Sequence, residues 1–535
     1  MAFKKIAVIA IAIISIAIVT ILFNNFEIQT TIENKKTFEE KPTDKLATIT
    51  IQNNNIPTNI QTNISKSKYV TVYSLVNGTG PNGILVDKDG MIWTSGSSLH
   101  SLFRLDPRDN TLRSYAIPVE RHGSTMVWTM VQDNDGALWF SQFGGNPLWM
   151  FDPKTEKFSL FHPSAPPFQM KLDEKTGNIW FTTLVGNTLG VVQKVENENK
   201  STSYRMTEFP LGKDTDPSGL FFKDDTVWVA ELLKSKVVTF DIVSDDNGLV
   251  TAVVKKLEMP QSEKIWFASP TDVLVPNDKK IWVTEHVPST ITEYDIKSDT
   301  AKRFPTARSG EQVSTLPFWM RESLDHKGIW FNEHQGNRIG FFNTTDHTLV
   351  EFNIPNNQAP ELSPYMLNNP VARQNILDQN AYYSAIFTLN LSLDPQDPNR
   401  LWFSQWNNDK IGVVDRSKPV SFDIHSDVTR VVLSGNDSAQ QKATISIDVT
   451  KNHYISEDNR NVVFLTASST MVPNGEFTKV AANFTNNTID FTKQNLPVQL
   501  VLQNEGAKPG NYTIGISASD GLVTKTIFVD LNILQ

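Results

Sequence analysis

Three glutamates occupy the same place in a recurring phrase, each three residues beyond a tryptophan: Glu231 in DTVWVAE, Glu285 in KKIWVTE and Glu333 in GIWFNE. His286 and His334 directly follow two of them. Carboxylates and imidazoles that converge can hold a divalent cation, Mg or Ca, or a cationic ligand. A glutamate fixed in a repeat can equally serve the repeat itself by accepting hydrogen bonds from turn amides, and both readings stay open. In the last repeat Gln405 takes the place of the glutamate. Trp128, Phe168, Phe318, Trp319 and Arg321 stand near the starts of neighbouring strands, where aromatic and basic side chains suit a small-molecule or peptide pocket. They suit the packed end of a channel just as well.

The elements that must position these residues follow from the phrase. Its tryptophans are Trp93, Trp139, Trp180, Trp228, Trp282, Trp330 and Trp402, spaced 46, 41, 48, 54, 48 and 72 residues apart. Each repeat runs from a strand that ends near an Asp, through the Trp strand and a third strand such as RIGFF, to a fourth that commonly ends in Pro. Short strands and turns at this period imply propeller blades, one four-stranded sheet per repeat. Half-buried strands cannot cover both faces alone, so the Trp is expected to pack between blades. The seventh repeat lacks its fourth strand, whereas Tyr69 to Val76 (YVTVYSLV) is a strand with no repeat of its own. Pairing it with Lys410 to Asp415 (KIGVVD) would close the ring and remove its open edges.

This pattern, G-x-I/L-W-F-x-E followed by N-x-I-G and a strand ending in I-P, resembles the streptogramin (virginiamycin B) lyase family of seven-bladed propellers over about Tyr69 to Asp415. The resemblance implies elimination chemistry that opens an ester-closed ring with help from a divalent cation, usually magnesium. It also implies a His after the Pro that opens the sixth inner strand, a Glu-Pro-His at the start of the seventh, and a Glu soon after the seventh Trp. Here Phe318 follows Pro317, no His lies between His347 and His425, and Gln405 and Trp406 follow the seventh Trp strand. The groups that carry the family's reaction are missing.

The remaining sequence sets the surroundings. A net charge of -9 leaves no basic field for nucleic acid. Cys is absent, which excludes disulfides, thiolate metal sites and a cysteine nucleophile. Lys4 and Lys5 precede an apolar run from Ile6 to Phe23 whose end lacks the small residues of a cleavage site. This predicts a single N-terminal transmembrane helix over residues 1–23 with the remainder outside the cell, a secreted form being the alternative. Residues 24–67 are expected to form a flexible linker, 68–416 the propeller, and 420–535 an Ig-like β-sandwich of seven short alternating strands. The excess of about 25 residues before the seventh blade carries a candidate helix from Pro370 to Tyr383 and suits a lid or partner surface.

The chain is thus expected to be all-β: a seven-bladed β-propeller and an Ig-like β-sandwich behind a membrane anchor. Its expected function is to bind an extracellular ligand, a peptide or a glycan, at Glu231, Glu285, His286, Trp319, Arg321, Glu333, His334 and Gln405. The alternative is a divergent metal-assisted lyase or hydrolase acting at the three glutamates.

Overall fold

A computed structural model describes residues 60–535 except 98, 119–126, 143–146, 197–201, 287, 307–314, 335, 356–387, 435–440, 453–460, 469–478 and 494–496, together with the backbone of Ala47–Ile49. The expected anchor, most of the linker and the candidate helix at 370–383 lie outside the described residues. No described helix is long and apolar enough to cross a membrane.

Among the described residues the strands form eight sheets, seven of them built on the tryptophan repeats. Within each repeat the strands pair antiparallel in chain order. The inner strands are Pro81–Val86, Met130–Gln132, Met170–Leu172, Pro217–Lys223, Pro270–Leu274, Pro317–Glu322 and Thr388–Leu393. Each touches the next, and the last touches the first, so the sheets surround one axis as a β-propeller. Val70–Ser74 pairs with Lys410–Asp415, Val70 opposite Val414 and Ser74 opposite Lys410, and closes the ring as the sequence suggests.

The end of the linker departs from expectation. Ile60–Gln61 adds to the outer edge of blade 1 and Ile64–Lys66 to that of blade 7. An outer strand presents unpaired backbone groups, and Ile60 also packs on the seam between blades 7 and 1, so ordering this segment satisfies both edge and core.

The repeat's residues each have a mechanical reason. Six of the seven tryptophans lie in the apolar clusters: Trp93, Trp139, Trp180, Trp228, Trp282 and Trp402. The Asp of the preceding turn fixes the indole: Asp87 accepts from Trp93 Nε1 at 2.7 Å, and Asp133 from Trp139 Nε1 at 2.9 Å. The other Asp87 oxygen accepts from the Asp89 and Met91 amides, so one carboxylate shapes the turn and orients the ring. Gly340, in the N-x-I-G step, lies under the Phe331 ring. A Cβ there would stand 2.1 Å from that ring, so no larger residue fits.

The C-terminal strands divide between two sheets. Phe422–Ser426, Lys442–Lys451, Val498–Asn504 and Val480–Phe484 form one. Arg430–Ser434, Val523–Leu534, Gly510–Ser519, Val462–Ala467 and Thr488–Asp490 belong to the other, which is continuous with blade 6 because Val523–Leu534 pairs with its outer strand Leu349–Asn353. Phe528 packs 5.1 Å from Phe304 and Lys302 pairs with Asp530 at 2.7 Å, so this module is fastened to blades 5 and 6.

Candidate functional site

The ends of the Trp strands and the starts of the inner strands meet on one rim, since Pro217 is opposite Glu231, Pro270 opposite Glu285, Pro317 opposite Glu333 and Thr388 opposite Gln405. Across the channel at this level runs a layer of rings. Trp128 lies 4.9 Å from Phe168, Phe168 lies 6.1 Å from Phe318 and 5.4 Å from Trp319, and Phe318 lies 5.4 Å from each of His286 and His334. The two imidazoles are 5.9 Å apart. All six side chains are buried. Blades 2, 3, 5 and 6 therefore close the channel with aromatic faces, where sequence reasoning had named the residues without their mutual contact.

Burial holds both imidazoles neutral. It pushes His286 down to about 4, against a weaker opposing bond to the Pro317 carbonyl. It pushes His334 down to about 3, with His286 adding repulsion. Groups with these values are poor proton acceptors near pH 7.

The three glutamates do not share a task. Glu285 is fully buried and accepts from Arg303 Nε at 2.6 Å and Nη2 at 2.8 Å, from Thr290 at 3.0 Å, from Thr292, and from the Ala268 amide at 2.6 Å. Glu333 is equally buried and accepts from Arg338 Nε at 2.6 Å, an arginine that also neighbours Glu351 at 3.4 Å. Among the described residues no arginine pairs with Glu231, and burial pushes its carboxyl up to about 7. The residues present do not fit the divalent cation that the lyase resemblance implies. Two of the three carboxylates are already neutralised, and no group of three or more His, Asp or Glu among the described residues is placed to hold a metal ion.

Gln405 differs from its counterparts. On blade 2 the equivalent Gln142 accepts from Trp149 Nε1 at 2.8 Å, but by register blade 7 has Gly412 where blade 2 has Trp149, and the donor is gone. The Gln405 amide is fully buried, and neither its oxygen nor its nitrogen has a partner among the described residues. The same holds for both amide atoms of Asn82, at the start of blade 1's inner strand. The two residues lie along one seam, because Ser404 Oγ donates to the Asn82 carbonyl at 2.6 Å and the turn Trp406–Asn408 packs against Pro81–Val86. Asn390 of the same region donates to the Trp128 carbonyl, which ties the seam to the aromatic layer. Asn82 had no flag in the sequence beyond its place after a strand-opening proline.

Arg321 is not brought to this rim. It lies opposite Trp330, further along the inner strand, and its Nη1 is 3.7 Å from Asp272.

No protein-family model matches the chain, and no curated protein matches it. Among solved structures it is similar to virginiamycin B lyase from Staphylococcus aureus, at 18% identity over 65% of this chain and 98% of that one, with a TM-score of 0.46. A streptogramin B lyase structure gives 18% identity over 65% and 97% of the two chains and a TM-score of 0.47. The extracellular domain assigned to a one-component system of B. thetaiotaomicron matches over 88% of this chain and 61% of that one, at 16% identity and a TM-score of 0.40. The chain is thus similar to propeller proteins that include streptogramin lyases.

Proposed function

We propose that the chain is a membrane-anchored, extracellular binding protein whose propeller recognises an uncharged polar ligand, a peptide or a glycan. The observation that carries this reading is the pair of buried amides, Asn82 and Gln405, left without partners beside an aromatic layer. An unpaired buried amide costs free energy that a ligand supplying donor and acceptor would recover. Aromatic faces next to amides are a combination that uncharged polar ligands use, apolar surface on the ring and hydrogen bonds at its edge. The place of Phe318, and two imidazoles that stay neutral at pH 7, favour binding over the lyase reaction.

In this reading residues 1–23 anchor the chain and the C-terminal module is an Ig-like sandwich that stands beside the propeller. Support for the latter comes from Tyr512, whose hydroxyl donates to the Lys508 carbonyl four residues upstream, the contact of a tyrosine corner. The test uses the full-length protein in detergent on glycan and peptide arrays, with calorimetry on the hits. A ligand bound at least tenfold more weakly by Gln405→Leu and Asn82→Leu is expected. No binding by the wild type, or binding indifferent to both changes, overturns the reading.

A second reading, a divergent lyase or hydrolase, is favoured by Glu231 alone, since a carboxyl near 7 is matched to general acid or base work. It predicts turnover of cyclic or linear esters that Glu231→Gln abolishes. Absence of turnover in the wild type removes it.

A further inference from the structure

Beyond the aromatic layer, away from the rim, the inner strands carry a second set of side chains that the binding reading does not use. Lys171 follows Phe168 by three residues on blade 3, and Arg321 follows Phe318 by three on blade 6. Because Phe168 and Phe318 meet at 6.1 Å, the two strands face each other across a narrow channel. Asp272 of blade 5 is fully buried beside Arg321 and exerts its charge on Lys171 as well. Its oxygens accept from the Met320 amide at 2.9 Å and the Val273 amide at 3.0 Å. Arg321 Nη1 donates to the Met320 carbonyl at 2.7 Å and stands 3.7 Å from Asp272, so the guanidinium is oriented but not consumed. The Lys171 ammonium makes no hydrogen bond or ion pair among the described residues; it lies 5.2 Å from the centre of the Phe221 ring.

Two cations against one carboxylate leave a net positive charge inside a channel, in a chain whose overall charge is -9. The field is felt by the groups themselves. Burial pushes the Lys171 ammonium down to about 8; Asp272 opposes the shift and Arg321 adds to it. Burial likewise lowers Arg321, against the pull of Asp272. Low-dielectric walls strengthen any counter-charge placed there.

We propose that this part of the channel binds a small oxyanion, held between the Lys171 ammonium and the Arg321 guanidinium, with Asp272 positioning the guanidinium. A planar fork and a point charge together match the spread oxygens of a phosphate or carboxylate group.

The experiment measures thermal unfolding and calorimetry of the full-length protein with inorganic phosphate, acetate and chloride at constant ionic strength. Phosphate or acetate should raise the unfolding temperature saturably, with chloride far weaker, and Lys171→Met should bind at least tenfold more weakly. Arg321→Gln should weaken binding similarly. As a readout independent of folding changes, the amine titration of Lys171, followed by carbon NMR after reductive methylation, should move upward when phosphate is added. An equal response to chloride, an unchanged Lys171→Met response, or an amine titration indifferent to phosphate overturns the proposal.

Discussion

Replacing Gln405 with leucine should make the unliganded protein more stable, an unusual outcome for a change at a fully buried position. The side chain is inaccessible to solvent and neither amide atom has a partner among the described residues. A buried, unmade hydrogen bond costs about 1–3 kcal/mol, and leucine has a similar volume without the polar atoms. The gain should therefore be about 1–3 kcal/mol, read in urea as a midpoint shift of roughly half a molar with an unchanged slope. Gln142→Leu serves as the control. The same change at the same rim position of blade 2 removes the acceptor of Trp149 Nε1, so it should destabilise by about 1–3 kcal/mol. If Gln405→Leu were instead destabilising to the same degree as Gln142→Leu, the Gln405 amide would already be satisfied within the unliganded protein, and the argument for a ligand on that seam would fail.

Three further outcomes are expected. Glu231 titrates at about 7 in the fold against an ordinary value of 4.5, so the folded state binds more protons between these limits and stability should fall as pH rises from about 4.5 to 7. The loss, about 3 kcal/mol, should vanish in Glu231→Gln, as urea titrations at pH 4.5 and 8 would show. His286 and His334 shift the other way: held neutral in the fold, they contribute stability that is complete above about 6.5 and is lost as pH drops toward 4 and the unfolded imidazoles take up protons first. A double His286→Asn, His334→Asn variant should show a flatter acid limb in thermal unfolding against pH. Trp139→Ala should cost about 3–5 kcal/mol, since the indole fills the seam between blades 2 and 3 and its N–H is held by Asp133; a loss under 1 kcal/mol would mean that the seams do not carry the repeat.

Fold and site were legible to different depths. Ring closure could be read because a strand without a repeat and a repeat without a strand require one another, and Val70–Ser74 does pair with Lys410–Asp415. The role of the tryptophans could be read for a similar reason, since a large apolar residue at constant phase must face something constant, here the next blade. Chemistry at the rim was harder to read because it depends on what faces each residue. Glu285 and Glu333 look alike in sequence to Glu231, but arginines on later strands of the same blades engage the first two, one of them eighteen residues away and two strands over at Arg303. Gln405 and Gln142 likewise differ only through Gly412 and Trp149 opposite. Arg321 was placed with the rim because strand counting gives position along the strand but not which side of the ring layer a long side chain reaches.

The shared sheet of blade 6 and the C-terminal module has a mechanical consequence. Leu349–Asn353 and Val523–Leu534 run antiparallel and are joined by backbone hydrogen bonds, so the module cannot swivel on a hinge as a beaded spacer would. A pull on the C-terminus would load that ladder in shear and pass directly into the propeller wall. Tension borne by the tail would thus reach the sixth spoke, whose inner strand carries both Phe318 and Arg321.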